Sequence, residues 1–175
     1  MDATRIAACT VLAVLALYDL RARRLPNAAV VVFALLYFVD AAFAGSARAA
    51  LIAHFATGVA ALATAALLFR LGWLGGGDVK LAAAVFLWSG PAQAARVLFV
   101  ISVSGSMIGL LVLAAGRLSR RSPRAQRRLA WLAPERGVPY GIALALGGAL
   151  ALALAPDAIE AHRMLASALA QSRLP

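Results

Sequence analysis

Apolar residues along this chain fall into long runs separated by short polar breaks. Six runs are legible: Thr4–Leu20, Ala28–Ala44, Ala49–Leu74, Val79–Ser89, Ala94–Gly116 and Val138–Ala155. Most approach the roughly 18–20 residues that an α-helix needs to cross a bilayer. Lipid offers no hydrogen-bond partners, so such a chain must satisfy its backbone inside helices. The pattern therefore predicts an all-α, polytopic membrane protein with about six transmembrane helices. The fourth run is short and is expected to tilt, to thin the bilayer locally or to re-enter it. The runs predict a membrane domain over residues 1–156, followed by a short extracytoplasmic tail, 157–175, that reads as a surface helix. No internal repeat or low-complexity linker interrupts them.

Composition agrees with the pattern. Of the 175 residues, 63% are hydrophobic and 14% charged, and the mean hydropathy is +0.87. The single cysteine, Cys9, rules out a disulfide framework and a cysteine-based zinc site. His54 and His162 are far apart and form no HExxH pattern, so no metal or cofactor is expected. His54, inside the third run, reads as a hydrogen-bonded interior residue rather than a ligand. Ser102, Gly105, Ser106 and Gly109 recur at helical spacing, which suits a close-packing face for a neighbouring helix. A serine nucleophile is the other reading, but no histidine is placed to serve it.

A net charge of +10 raises the question of nucleic acid. The distribution answers it as topology. Arg21, Arg23 and Arg24 follow the first run, Arg70 and Lys80 flank the third break, and seven arginines lie between Arg117 and Arg136. The opposite side holds Arg5, Arg48, Arg96, Arg163 and Arg173. The positive-inside rule puts the first set in the cytoplasm and both termini outside. The Arg117–Arg136 loop is expected to lie on anionic lipid, with no nucleic-acid partner. The first run is not expected to be a cleavable leader, because its positive cluster follows the apolar stretch.

Seven acids remain to be placed. Asp2, Asp157 and Glu160 are peripheral, Asp40 lies near the outer end of the second run, and Glu135 is expected to pair with loop arginines. Asp19 ends the first run and Asp78 begins the fourth. The derived orientation puts both at the same depth, at the cytoplasmic border, on different helices. Ionisable groups at membrane depth are functional candidates. Two carboxylates held together can share one proton, so that one takes a proton from water while the other donates to a peptide leaving group. Structural readings stand beside this one. Asp78 can cap the fourth helix, and Asp19 can pair with Arg23 one turn on. Before Asp78 stand Gly75, Gly76 and Gly77, which are expected to adopt conformations closed to other residues and to let a substrate strand approach.

Three stretches carry a resemblance: "YDLRARRLPN" (Tyr18–Asn27), "GGGDVKL" (Gly75–Leu81) and "VPYGIALALG" (Val138–Gly147). Together they resemble the signature regions of type IV prepilin peptidases, bacterial inner-membrane aspartyl proteases of the GxGD class. The resemblance implies that Asp19 and Asp78 are the catalytic pair. It also implies that Gly75, Gly76, Gly77, Lys80, Pro26, Asn27, Pro139 and Gly141 shape the site or contact substrate. Lys80 is expected to hold Asp78 ionised or to touch the substrate, and Arg21, Arg23 and Arg24 to serve topology and lipid headgroups. The implied partners are prepilins or pseudopilins, whose basic leader is removed, commonly after a glycine, at the cytoplasmic border. Larger members carry an N-terminal domain with paired CxxC motifs and N-methylate the product. This chain is similar to the short, tight-adherence (Flp) form, and no methylation is expected. A presenilin-like intramembrane protease and a non-enzymatic carrier using Asp19 and Asp78 as ion or proton ligands are the alternatives.

Overall fold

The computed structural model describes residues 3–119 and 138–154, and every element among them is an α-helix. The arginine-rich stretch beyond Ser119, with Glu135, and the expected tail 157–175 lie outside the described residues. Five elements follow in order: α1 (Ala3–Ala22), α2 (Asn27–Phe43), α3 (Arg48–Arg70), α4 (Gly76–Ser119) and α5 (Tyr140–Leu154). By length and composition α1, α3 and α4 can cross a membrane, whereas α2 and α5 are shorter apolar helices.

Helix ends follow local chemistry. The carbonyl of Pro26 receives the Ala29 and Val30 N–H groups and starts α2. At the end of α2, Ser46 N–H reaches Ala41 O and Gly45 N–H reaches Ala42 O, with Gly45 at φ +62°. At the end of α3, Trp73 N–H reaches Leu68 O and Gly72 N–H reaches Phe69 O, with Gly72 at φ +76°. Both are Schellman closures, which need a left-handed residue that glycine supplies at least cost. This closure stops α3 at Arg70, short of the Leu74 expected from hydropathy alone, which cannot separate an apolar turn from an apolar helix.

The fourth and fifth apolar runs form one element with a break. Gly90 sits at φ 57°, ψ −177°, and Pro91 follows. Contacts show that the chain reverses there. Gly76 lies against Phe69, and Gly58 against Ala83 and Leu87, so the first arm runs antiparallel to α3. Along α5, Gly141 meets Asp19 near its start, and Gly148 then meets Val85 of the first arm. Tyr140 instead meets Gly105, and Gly147 meets Val97 and Ile101, so the second arm runs back, antiparallel to α5. The boundary expected between the fourth and fifth runs is therefore the turn of a helical hairpin.

The hairpin tip is held by aromatic residues. Trp88 Nε1 donates to Phe33 O at 2.9 Å, and its ring stacks on Phe33 with centroids 5.7 Å apart. His54 stacks on Tyr37 at 5.3 Å, and its Nδ1 lies 2.9 Å from Leu87 O. Since a carbonyl only accepts, Nδ1 carries the hydrogen. This bears out His54 as a hydrogen-bonded interior residue. A Cβ on Gly90 would enter the His54 ring. Near the opposite ends of α1 and α2 from the Asp19 region, Arg5 Nε pairs with Asp40 Oδ1 at 3.6 Å, with Arg5 only 3% exposed. Asp40 is thus a structural partner of α1. The core between these layers centres on Leu15, Phe33, Leu81, Val85, Val97 and Leu152, all fully buried.

Gly90→Ala is expected to lower the thermal unfolding midpoint in detergent. A side chain held at φ 57°, ψ −177°, a region populated essentially by glycine, costs on the order of 1–3 kcal/mol, and the clash with His54 adds to it. Combined with His54→Ala, the loss should be less than additive, because the clash is gone and the backbone cost remains. An unchanged midpoint for the single variant would refute this account of the break.

Candidate active site

Asp19 lies in the last turn of α1 and is 5% exposed. Its Oδ2 accepts the backbone N–H of Gly141, the second residue of α5, at 2.8 Å. Gly141 is required for contact rather than for backbone freedom: a Cβ there would sit 2.8 Å from Asp19 Cγ and Oδ2. Pro139, fully buried, precedes α5, and its carbonyl accepts the Ile142 N–H at 3.4 Å. The third motif therefore acts as a socket for the first carboxylate.

Asp78 is the third residue of α4 and is half-buried. Its carboxylate folds back against Gly75, just before the helix. An acid in this first turn is favoured by the free N–H groups and the helix dipole. A structural role at the helix start and a place in the site are therefore compatible, because the same carboxylate sits in the first turn of α4 and lines a cleft with Asp19.

The expected reason for the three glycines needs correction. None of Gly75, Gly76 and Gly77 has a positive φ; among the described glycines only Gly45, Gly72 and Gly90 do. They are held by proximity. A Cβ on Gly75 would lie 2.8 Å from Asp78 Oδ2, and one on Gly77 would lie 3.1 Å from Leu25 Cβ. Side chains here would push the carboxylate aside or wedge the α1–α2 turn away from α4. The Gly76 position meets only the Phe69 ring edge at 3.5 Å, an ordinary contact.

Asp19, Asp78, Gly75, Gly76, Gly77 and Asn27 line one cleft of about 310 Å³, together with Arg23, Arg24 and Leu25. Two further expectations change at this point. Lys80 is exposed, donates to Asn27 Oδ1 at 2.9 Å and does not line the cleft. It sits two residues past Asp78, so the helical turn carries it to another face, where it ties α4 to the start of α2. Arg23 and Arg24, expected at lipid headgroups, line the cleft instead. Arg23 adopts φ 52°, and its N–H returns to Asp19 O at 3.0 Å, closing α1 with a left-handed residue. A non-glycine residue there carries a strain of roughly 1–2 kcal/mol. The turn sets Arg23 in the cleft with Asp19, where its charge acts on that carboxylate. The signal for Arg23 was its one-turn spacing from Asp19; nothing in the sequence pointed to Leu25. Pro26 shapes the site indirectly, by starting α2.

Residues 6–111 match the model of the type IV leader peptidase family. The chain belongs to that family. No curated protein and no solved structure matches it.

Gly141→Ala is expected to insert and fold yet lose at least about tenfold in peptide-bond cleavage, about 1.4 kcal/mol of barrier, because its methyl group displaces Asp19. Gly76→Ala should keep near wild-type rates. Gly77→Ala should fall between them, since Leu25 must yield by a few tenths of an ångström. Cleavage assays on the three purified variants check the order; equal rates for Gly76→Ala and Gly141→Ala would refute it.

Proposed function

We propose that this member of the type IV leader peptidase family is a two-aspartate endopeptidase that removes the basic leader from prepilins or pseudopilins at the cytoplasmic border of the membrane. One observation carries the reading. Asp19, at the end of α1 and anchored by the Gly141 N–H, and Asp78, at the start of α4, line the same small cleft.

In this reading the two carboxylates share one proton. The ionised member takes a proton from a water molecule in the cleft, and the resulting hydroxide attacks the scissile carbonyl carbon. The protonated member donates to the leaving nitrogen as the C–N bond breaks. After product release the pair again holds one proton between two oxygens. The Gly141 N–H holds Asp19 and the first turn of α4 holds Asp78 in place through the cycle, so that orientation is built in before substrate arrives. The cleft also carries Arg23 and Arg24, which favour a substrate carbonyl or carboxylate nearby and oppose an approaching basic leader. The leader therefore runs away from the Arg23 side, over the Gly75–Gly77 backbone.

Localisation follows the same reading. The protein sits in the bacterial inner membrane, with its N-terminus outside and the cleft at the cytoplasmic face. The basic residues at the ends of α1 and α3 support that orientation.

Asp19→Asn and Asp78→Asn are each expected to abolish processing of a co-expressed prepilin without changing membrane insertion, because an amide cannot take a proton from water. Asp40→Asn should still process, with reduced stability from loss of its charge opposite Arg5. Leader loss is read by gel shift. Full processing by either cleft variant would remove the two-aspartate mechanism. Separately, in a Cys9→Ser background, cysteines introduced at Ser46 and Arg21 should label from opposite sides, with Arg21 accessible only from the cytoplasm. Labelling of both from outside would overturn the orientation.

A further inference from the structure

A second, larger hollow lies between α3, the two arms of α4 and the start of α5. It measures about 1040 Å³ and its walls are mostly apolar. Along α3 it extends from Thr57 to Leu68, about 17 Å at 1.5 Å per residue. Small residues form its facing walls: Ala60 and Thr64 on α3, and Ser102 and Ser106 on the second arm of α4. All four are exposed, so the hollow is a groove open along the helices rather than a sealed void. The hydroxyls of Thr57 and Thr64 are turned back onto Ala53 O and Ala60 O, at 2.8 and 2.9 Å. That leaves these threonines presenting methyl groups. At Gly109 nothing lies within 4 Å of where a Cβ would be.

The groove and the catalytic cleft share no lining residue, but the chain joins them at two places. Leu74, which borders it, directly precedes the Gly75–Asp78 segment. Tyr140, which also borders it, directly precedes the Gly141 amide that holds Asp19. On the first arm of α4, Asp78 and the groove residues Ala82 and Phe86 follow at four-residue spacing, down one helix face. Both backbone segments that carry the carboxylate sites are therefore flanked in the chain by groove residues.

We propose that the groove seats the membrane helix of the peptidase's own substrate, so that the helix end emerges at the Asp19–Asp78 cleft. The inference rests on the leader-peptidase reading of that cleft. A peptide lying at membrane depth must satisfy its own backbone, which restricts the occupant to a helix. Walls of alanine, serine, threonine and glycine let a helix backbone approach closely, and such packing drives helix association in lipid. The cleft itself, at about 310 Å³, holds a short extended segment. Cleavage is thereby restricted to the bond just outside a helix end, and a groove about 17 Å long registers the helix against the carboxylates.

The probe is a synthetic precursor with a basic leader, one glycine at the cleavage site and an apolar helix of about 20 residues. Wild-type cleavage of this precursor tests the peptidase reading by itself. Given cleavage, Gly109→Leu and Thr64→Leu, which fill the groove from opposite walls, should each raise KM at least tenfold while changing kcat less than twofold. Their unfolding midpoints should match wild type. In a Cys9→Ser, Asp78→Asn background, Ser106→Cys should form a disulfide with a cysteine in the middle of the precursor helix. Val103→Cys, an exposed position outside the groove, should not. Unchanged KM in both filled variants, or equal crosslinking at Ser106 and Val103, would overturn the proposal and leave the groove to lipid, with the peptidase reading intact.

Discussion

The hydrogen bond from the Gly141 amide to Asp19 Oδ2, 2.8 Å long and buried, is the contact on which the site depends. Asp19 ends the first helix and Gly141 begins the last described one, so the bond closes the bundle on itself. A hydrogen bond to a charged group contributes about 1.5–3 kcal/mol, and losing it would leave a buried carboxylate without a fixed donor. The bond is possible only because residue 141 has no side chain. Everything nearby follows from that closeness, including the buried Pro139 that starts α5 and the placement of Tyr140 against Gly105.

Asp78 meets the same problem differently. Its carboxylate folds back against Gly75 at the start of α4, where free N–H groups and the helix dipole favour negative charge. A helix start is a low-cost place to keep an acid near lipid. A cap normally faces solvent; here the missing side chains at Gly75 and Gly77 let the α1–α2 turn close over it, with Leu25 3.1 Å from where a Gly77 Cβ would be. Capping and chemistry are thus one arrangement. The strained Arg23 belongs to it too, since the turn that costs backbone energy also sets a cation beside Asp19.

The hairpin of α4 serves the site from a distance. A straight helix of this length would carry its second half out of the bundle. Reversal at Gly90 returns the second arm alongside α5, with Ile101 and Val97 against Gly147. The tip is fixed by Trp88 on Phe33 O and by His54 on Leu87 O. Because the first arm is clamped at its far end, Asp78 at its near end has a fixed depth relative to Asp19. The returning arm then forms one wall of the large groove beside the cleft.

Hydrophobic periodicity was enough to establish an all-α membrane protein, and the placement of α1, α2 and α5 within a few residues, since each is a continuous apolar run with a polar or glycine boundary. The meeting of Asp19 and Asp78 in one cleft was legible as well, because one ends an apolar run and the other begins one. Contacts between distant segments were not legible. The Asp19–Gly141 bond spans 122 residues, the Lys80–Asn27 bond 53, and no local pattern encodes either. The same holds for the role of the glycines. Sequence can say that a position lacks a side chain, but whether that frees the backbone, as at Gly90, or admits a neighbour, as at Gly75 and Gly141, depends on what packing brings beside it. Local propensity and hydropathy act over one or two helical turns, so they determined the helices and their ends. Only the tertiary structure, which joins the ends of different helices, decided which residues share the cleft.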